Sequence, residues 1–591
     1  MDLAKAKHCF EVSWEVCNKV GGISTVLTSK ASQMREAYKH YILIGPYFKD
    51  KAELEIMHAQ EPDFIKSAFA ELSNYGIQCY YGTWQIKGEP PVILIDFQKY
   101  RQHTDEIKKQ MWDNFQVDSL QGGSDYDEPL VWAFCAGLLL DSLTKKLDGP
   151  SVVQAHEWLS GAAILHLKAQ NNPAGTVFTT HATMLGRALA GSGAALYDDL
   201  AKYDPMWEAG THGVMAKHTM EKAAAQNADV FTTVSEITGL EAEHLLGRKP
   251  DVLLPNGLDM DKFPTIEETS LKHVQARAKI REFLTYQFFP YYTFDMEHTL
   301  HFFILGRYEY HNKGIDVLLR SLSLLNNRLK NEKSDRTIAV FFFIMRPHKG
   351  IKLELYENKN HYRHIKGFVE SNSQEILRRL VYDFVSGATD PPSSIFTKDF
   401  LRAINRDIHT FKREGNPLVC THNLENEYQD DIVKNCYSSG LDNKEDDKVK
   451  VIFYPTMLDG SDGLIDLPLY DAIAGCHLGL FPSYYEPWGY TPLEGAAMGV
   501  PSVTTDLSGF GKFIEPYVDK ERGIYVLKMH GVPFEETANK FAELMYNFAA
   551  KDHSERVELK IAAKTLSQLC DWQHFIKFYV KAHNMAVEKH N

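Results

Sequence analysis

The stretch FPSYYEPWGYTPLEGAAMGVPSVTTD, residues 481–506, reads as a buried strand, a turn, a helix and a second strand. Thr491 and Pro492 fit the cap and the first residue of that helix, and Glu494 fits the capping-box position. Glu486 precedes the helix, where no capping role is available. A second carboxylate at the turn therefore suggests a ligand site.

The same alternation of strand and helix runs through the rest of the chain. The sequence predicts buried strands at 8–14, 40–47, 91–97, 151–157, 176–182, 229–235, 300–309, 338–345, 449–455, 477–483 and 501–506. Helix-period segments lie between them, for example at 24–40 and 128–147. This pattern predicts two doubly wound α/β domains, which bind ligands in the cleft at the carboxyl ends of their strands.

Turn-forming residues in the sequence suggest where these domains are divided. The turn Pro255-Asn256-Gly257 predicts a hinge, so residues 1–258 form the first domain and 259–560 the second. A mostly helical region is inserted at about 366–415 and is broken by DPPSS at 390–394. It reads as a helical hairpin on the domain's flank or as a subunit-association element.

Bulk composition excludes several classes of partner. The 591-residue chain has a net charge of −14, which argues against nucleic acid and anionic membranes. No apolar run is long enough for a signal peptide or a membrane span. Eight scattered cysteines without a C-x-x-C pair favour reduced thiols. We therefore expect a cytoplasmic protein.

Two loops have the chemistry of an anion site. At the helix start, the backbone N–H groups of Gly489, Tyr490 and Thr491 would favour a pyrophosphate. After the first strand, Lys19 supplies charge, and Gly21 with Gly22 allows close backbone approach to a phosphate or sugar. The alternative for the second loop is a tight turn with a surface lysine.

Further candidates follow other strands. Arg307 and Lys313 come after the apolar strand run HFFILG (301–306), and their donor groups suit a pyrophosphate leaving group. Surface charge is the alternative. Other candidates at strand ends are His181, Arg187, His156 and Glu157, and Tyr470 could stack on a nucleobase. A lone histidine such as His181 is commonly a satisfied structural residue.

The sequence predicts no metal and no cofactor. His156-Glu157 lacks the second histidine of a zinc motif, and no Asp-x-Asp pair follows a strand. The sequence also lacks the G-x-S-x-G nucleophile elbow and the P-loop of nucleoside triphosphatases. Lysine and arginine would then replace the cation in any phosphate chemistry.

The motif YYEPWGYTPLE, with seven residues between its two glutamates, resembles that of the glycogen synthases of animals and fungi. Other matches are EVSWEVCNKVGGISTVL (11–27), HEWLSG (156–161), FTTHATMLGR (178–187), PNGLD (255–259), LGRYEYHNKG (305–314), GCHLGLFPSYYEPWGYTP (475–492) and GVPSVTTDLSGFG (499–511). They fall in the family's order along nearly the whole chain, and the run at 477–492 is the most specific.

The resemblance implies a fold and a reaction. The fold is glycosyltransferase-B: two Rossmann-like domains facing a cleft, the first on the acceptor side and the second binding the nucleotide sugar. A C-terminal helix within 561–591 would cross back to the first domain. The reaction is metal-independent, retaining transfer of glucose from UDP-glucose to the non-reducing-end 4-hydroxyl of an α-1,4-glucan. A tetramer, formed through the helical insertion, and a glycogen-priming protein are the implied partners.

The resemblance also implies roles for the candidate residues. Glu486 would hold sugar hydroxyls and offset positive charge on the ring, with a covalent nucleophile as the alternative. Arg307 and Lys313 would neutralise the leaving phosphates, and His181 would face the transferred sugar. The donor-binding set is Lys19, Gly21, Gly22, Arg187, Gly489, Tyr490, Thr491, Glu494 and Tyr470, and the acceptor side has His156 and Glu157.

One departure from the family concerns regulation. The family has an arginine-dense C-terminal helix that senses glucose 6-phosphate, whereas RVELKIAAKTLSQLCDW (556–572) has only Arg556, Lys560 and Lys564. These three cations read as a solvated helix face, which predicts weak or absent activation by glucose 6-phosphate.

Two alternative functions stay open at this point. One is another retaining transferase of the same fold, making sucrose, trehalose phosphate or a lipid product. The other is a non-catalytic glucan-binding protein. The choice of UDP over ADP in the donor rests on the resemblance alone.

Overall fold

The computed structural model describes residues 4–387, 395–518 and 523–590. Its strands are β1 His8–Val12, β2 His40–Pro46, β3 Ile56–His58, β4 Gln78–Trp84, β5 Pro91–Asp96, β6 Ser151–His156, β7 Gly175–Thr180, β8 Val230–Thr233, β9 Val252–Leu253, β10 Thr299–Gly306, β11 Thr337–Ile344, β12 His348–Ile351, β13 His422–Leu424, β14 Val449–Phe453, β15 Leu478–Leu480, β16 Ser502–Thr505 and β17 Ile524–Leu527.

The helices alternate with these strands along the chain. They are α1 Gly22–Ala37, α2 Lys49–Glu55, α3 Asp63–Ser73, α4 Thr104–Phe115, α5 Ser124–Thr144, α6 Gly161–Ala169, α7 Met184–Gly191, α8 Pro205–Thr211, α9 Met215–Asn227, α10 Glu236–Leu245, α11 Ile266–Phe288, α12 Ile315–Asn331, α13 Leu353–Ser371, α14 Ser373–Ser386, α15 Lys398–Phe411, α16 Asp431–Ser438, α17 Leu469–Ala474, α18 Tyr490–Ala497, α19 Gly509–Ile514, α20 Phe534–Ala550, α21 His553–Ser567 and α22 Trp572–His590. Within the described ranges, no helix is both long and apolar enough to cross a bilayer.

The first sheet has the strand order β3-β4-β5-β2-β1-β6-β7-β8-β9. The strands from β5 to β9 pair in parallel, and β3 and β4 add an antiparallel edge. The predicted strands of the first half are all present. The sequence did not predict β4, because its residues QCYYGTW are only partly buried and lack a continuous apolar run.

The second sheet has the order β14-β11-β10-β15-β16-β17, and its pairs are parallel. A short antiparallel pair, β12 with β13, lies apart from it. The two parallel α/β sheets confirm the predicted fold class. Strand β15 is three buried residues long, and its carboxyl end leads directly into the segment 481–506.

The chain crosses between the two sheets at two adjacent places. After β9 it leaves the first sheet, and the Leu258 N–H donates to the Cys570 carbonyl over 2.9 Å. The Trp572 N–H donates back to the Leu258 carbonyl over 3.2 Å. A Cβ on Gly257 would lie 2.8 Å from the Trp572 ring, so glycine allows this close pairing. The predicted boundary at 560/561 falls inside α21.

The last helix, α22, packs on the first sheet over β6 to β9. Its buried side chains include Trp572, Phe575 and Tyr579. His583 bonds through Nε2 to Gln154 Oε1 of β6 over 2.9 Å and through Nδ1 to the Tyr38 hydroxyl over 2.7 Å. Residues from the end of the chain thus complete the core of the first domain.

The helical insertion is larger than expected. Helix α13 begins at Leu353, so the insertion comprises α13, α14 and α15 rather than residues 366–415. The sequence motif DPPSS lies outside the described residues. On α14 the residues Leu377, Val381, Phe384 and Val385 are 58%, 60%, 67% and 84% exposed, at spacings that place them on one helix face.

Gly314 fixes the loop between β10 and α12 against the loop after β15. Its φ is +65°, and an added Cβ would lie 1.8 Å from the Pro482 carbonyl oxygen. We expect Gly314→Ala to lower the free energy of unfolding by roughly 2–5 kcal/mol, the sum of left-handed strain and overpacking. Urea denaturation measures this difference.

The matched control is Gly350→Ala. Gly350 has φ +101°, but an added Cβ would meet no atom within 4 Å. Only the backbone strain remains, so the expected loss is about 1–2 kcal/mol. Equal losses in the two variants would contradict the close approach at Pro482.

Candidate active site

Glu486 lies in the turn between β15 and α18. The Gly509 N–H donates to the Glu486 carbonyl over 3.0 Å, which ties the turn to the segment after β16. The Glu486 carboxylate forms an ion pair with Lys313 Nζ, and both side chains are largely buried. The structure therefore brings together two candidate residues that are 173 positions apart in the sequence.

The predicted cap of α18 is wrong. The helix begins at Tyr490, and its N-cap is Gly489, with φ +110°, two residues before the predicted cap Thr491. Glu494 makes no capping bond; its carboxylate accepts from the Tyr470 hydroxyl over 2.9 Å. Burial raises the pKa of Glu494 to about 7. The pair Tyr470–Glu494 forms one wall beside the turn.

The backbone of this turn keeps the anion-binding character that the sequence predicts. Within the described ranges, the N–H groups of Gly489, Tyr490 and Thr491 donate to no protein acceptor. Such unpaired amides at a helix N-terminus attract an anion. Lys313 and these three amides thus supply positive charge beside Glu486.

Arg307 is less fixed than Lys313. Its guanidinium is 70% exposed and pairs with Glu309 over 3.0 Å, two residues along the same loop. Arg187, from the first domain, is exposed and lies within electrostatic range of Glu309. Partial desolvation opposes its charge, but Tyr485, Glu157 and Glu309 together raise the pKa of Arg187 above its usual range.

A chain of buried groups fixes His181 in the first domain. His156 bonds through Nε2 to Glu11 Oε1 over 2.6 Å and through Nδ1 to His181 Nε2 over 3.0 Å. Because Glu11 only accepts, His156 carries its proton on Nε2, and His181 donates from Nε2. Nδ1 of His181 is left as an acceptor. Burial lowers the pKa of both histidines, so both are neutral at pH 7.

The base of this chain is a fully buried ion pair between Glu11 and Lys30. The Tyr41 hydroxyl also donates to Glu11, and Lys30 Nζ lies 4.2 Å from the centre of the Tyr579 ring on α22. Burial disfavours the Glu11 carboxylate, but Lys30 and His156 outweigh it and hold the pKa of Glu11 far below its usual range. Sequence reasoning missed both residues, although charges inside a predicted strand and helix were a signal.

Glu157 has a strained backbone, with φ at +64°. One of its carboxylate oxygens accepts from the N–H groups of His181 and Ala182, over 2.9 and 3.2 Å. Burial raises the pKa of Glu157 to about 7 although Arg187 and these bonds lower it. The Glu157 carboxylate thus holds the backbone at His181 and Ala182 in place.

In the loop before α1, one of the backbone amides that was predicted to bind a ligand is already hydrogen-bonded within the protein. Glu15 Oε2 accepts from the N–H groups of Gly21 and Ser24, over 2.8 and 3.0 Å. The Gly21 amide is therefore already occupied by a carboxylate, which the sequence analysis did not identify. Lys19 and Gly22 are exposed beside it. A phosphate could bind the Gly21 amide only by displacing Glu15.

The three cations of α21 do not form a solvated face. Arg556 and Lys564 are 9% and 5% exposed. Arg556 and Lys560 line a cavity of about 330 Å³ with Arg277 and Arg281 of α11. Burial and the charges of Arg277 and Arg556 lower the pKa of Lys560 to about 7. The predicted weak activation by glucose 6-phosphate stays a prediction, checked by assays with and without the sugar phosphate.

The model of the glycogen synthase family matches residues 11–591 of this chain. The chain belongs to that family. Liver glycogen [starch] synthase of Mus musculus is 36% identical over 585 residues, 98% of this chain and 83% of that protein. The glycogen [starch] synthase of Neurospora crassa is 35% identical over 590 residues, 98% of this chain and 83% of that protein.

A solved structure agrees with this family's fold. The catalytic domain of starch synthase IV from Arabidopsis thaliana, bound to ADP and acarbose, aligns with a TM-score of 0.52. The alignment covers 99% of this chain and 100% of that one at 13% identity. Within the described ranges, no cluster of three or more His, Cys, Asp or Glu side chains could hold a metal.

The buried Glu11–Lys30 pair makes a testable prediction about stability. Lys30→Met leaves the Glu11 carboxylate buried without its cation, and we expect a loss of about 3–5 kcal/mol in the free energy of unfolding. The double variant Glu11→Gln/Lys30→Met removes both charges, so it should be more stable than Lys30→Met alone. Denaturant titration of the three proteins measures this. A double variant no more stable than the single one would contradict it.

Proposed function

We propose that the protein transfers glucose from UDP-glucose to the 4-hydroxyl at the non-reducing end of an α-1,4-glucan, with retention and without a metal. The observation that carries the proposal is the Lys313–Glu486 ion pair beside the amides of Gly489 to Thr491. Family membership and relatives named glycogen [starch] synthase support the reaction class.

In the proposed complex the donor pyrophosphate binds the amides that start α18. Lys313 contacts the phosphates directly, and Arg307 exchanges Glu309 for a phosphate oxygen. These cations stabilise the negative charge that develops on the leaving group, as a metal ion does in other transferases. Glu494 and Tyr470, already bonded to each other, face the ribose and the base.

The transferred glucose lies between the two domains in this proposal. Nδ1 of His181 accepts from a sugar hydroxyl, and Glu486 offsets positive charge on the ring. The bond from C1 to the phosphate oxygen breaks, and the acceptor O4 bonds to C1 on the same face. The O4 proton moves to the leaving phosphate, which balances the transfer.

A covalent intermediate on Glu486 is the alternative route to retention. The ion pair favours the charge-stabilising role, because Lys313 holds the Glu486 carboxylate and lowers its nucleophilicity. The choice of UDP over ADP is part of the proposal. So are the domain division at 258 and 560, a glycogen-priming partner and a cytoplasmic location, the last supported by eight free cysteines.

The decisive experiment measures glucose incorporation into glycogen by the purified chain, with UDP-glucose or ADP-glucose and with EDTA present. We expect incorporation from UDP-glucose. Glu486→Gln should lower kcat by about 10²–10³, because it removes charge stabilisation needed only in the transition state.

The control for that variant is Glu535→Gln, a surface glutamate paired with Arg320 on the second domain. It should retain the wild-type rate. Incorporation that fails with both donors would refute the proposed function. Wild-type activity in Glu486→Gln would refute only the role of this carboxylate.

We also propose that the apolar face of α14 joins copies of this chain into a homo-oligomer. Leu377, Val381, Phe384 and Val385 form a continuous apolar stripe of the kind that marks a protein interface. The double variant Val381→Glu/Phe384→Glu should therefore lower the molar mass in light scattering. Leu120→Glu, at an isolated residue that is 93% exposed, should not. A wild-type protein that is monomeric would refute this proposal.

A further inference from the structure

Helix α10 of the first domain, with its N-cap residue, contacts the residues on both sides of Glu486. Before Glu486, the Tyr485 hydroxyl donates to Glu241 Oε1 over 3.2 Å. After it, the Ser235 hydroxyl at the N-cap of α10 donates to the Pro487 carbonyl over 2.7 Å. One helix of the first domain therefore contacts the two neighbours of a residue that belongs to the second domain.

We propose that Glu241 and Ser235 are positioning residues that align Glu486 with the first-domain half of the active site. This inference rests on the proposed function. Glu486 itself has its side-chain ion pair with Lys313, which lies in its own domain. The contacts of α10 with Tyr485 and Pro487 set the position of Glu486 relative to His181 across the cleft.

Glu241 also holds the segment that carries His181 and Arg187. Its Oε1 accepts from the Thr183 N–H over 3.0 Å and from the Thr183 hydroxyl. Thr183 lies two residues after His181 and is the N-cap of α7, the helix that bears Arg187. A single carboxylate thus links the sugar-side segment of one domain to the Glu486 turn of the other.

The second oxygen of Glu241 completes the arrangement. Oε2 accepts from the Tyr197 hydroxyl over 3.2 Å, so both oxygens are bonded within a fully buried site. Burial raises the pKa of Glu241 to about 7, against the effect of the bonds from Thr183, Tyr197 and Tyr485. These partners fix the carboxylate more firmly than a single surface contact would.

Two glycines make room for the contacts of Glu241 and Ser235 with Tyr485 and Pro487, which we call the clamp. A Cβ on Gly186 of α7 would lie 2.2 Å from Glu241 Oε1. A Cβ on Gly509 would lie 2.2 Å from the Pro487 carbonyl oxygen and 2.6 Å from Ser235 Cβ. The backbone approaches closely at both ends of the clamp, so little sideways movement of the Glu486 turn is available.

The clamp predicts a kinetic signature. The amides and Lys313 that would bind the donor pyrophosphate belong to the second domain, so losing the clamp leaves these pyrophosphate contacts in place. Misplacing Glu486 relative to the sugar lowers the rate of the chemical step, because small displacements of a catalytic group are costly. We expect kcat to fall by about 10–100-fold, with the KM for UDP-glucose within about twofold.

The test compares Glu241→Ala, Tyr485→Phe, their double variant and Ser235→Ala in the glycogen incorporation assay. The double variant should lose no more than Glu241→Ala alone, because Glu241→Ala already removes the acceptor of the Tyr485 hydroxyl. The matched control is Glu243→Ala, at an exposed glutamate on the same helix, which should keep the wild-type kcat. Additive losses, or an unchanged kcat in Glu241→Ala, would overturn the inference.

Hydrogen–deuterium exchange of residues 483–489 gives a readout that does not depend on activity. Exchange should be faster in Glu241→Ala and Tyr485→Phe than in the wild type and in Glu243→Ala. Unchanged exchange in both would overturn the clamp. If the wild-type protein fails to incorporate glucose, the proposed function fails, while the exchange data still decide whether α10 fixes the turn.

Discussion

The buried ion pair between Glu11 and Lys30 is the constraint on which the first-domain half of the site depends. A carboxylate inside a parallel sheet is costly unless it is fully paired, and Glu11 bonds to Lys30, Tyr41 and His156. Its negative charge selects the tautomer of His156, and that tautomer sets which nitrogen of His181 carries the proton. Through His156, the buried charge of Glu11 thereby determines whether Nδ1 of His181 donates or accepts a hydrogen bond at the cleft.

The second-domain half depends on backbone geometry more than on charge. Strand β15 is short and buried, and the left-handed Gly489 starts α18 as soon as the turn ends. This places three unpaired amides and Glu486 within one turn of chain. Lys313 reaches the same place because Gly314 lets its loop pack on Pro482. The two halves of the site are thus built by different means and meet at α10.

The sequence was sufficient for the fold because buried parallel strands are continuous apolar runs, as in HYILIGP and TIAVFFFI. It was insufficient where tertiary contacts override a local signature. Thr491-Pro492-x-Glu494 matches a capping box, but the conformation of Gly489 starts the helix earlier. The supporting acids Glu11 and Glu241 act through partners far away in sequence, such as His156 and Tyr485. The cations of α21 read as solvated because the sequence does not show that α11 covers them.

The placement of α22 has a consequence for how the protein is made. The sheet strands β6 and β7 emerge from the ribosome within the first 180 residues, but the helix that covers them spans residues 572–590. The first domain therefore waits for nearly the whole chain before its core can close. During that interval an apolar sheet face is exposed to water and to other nascent chains, which favours aggregation while the chain is being made.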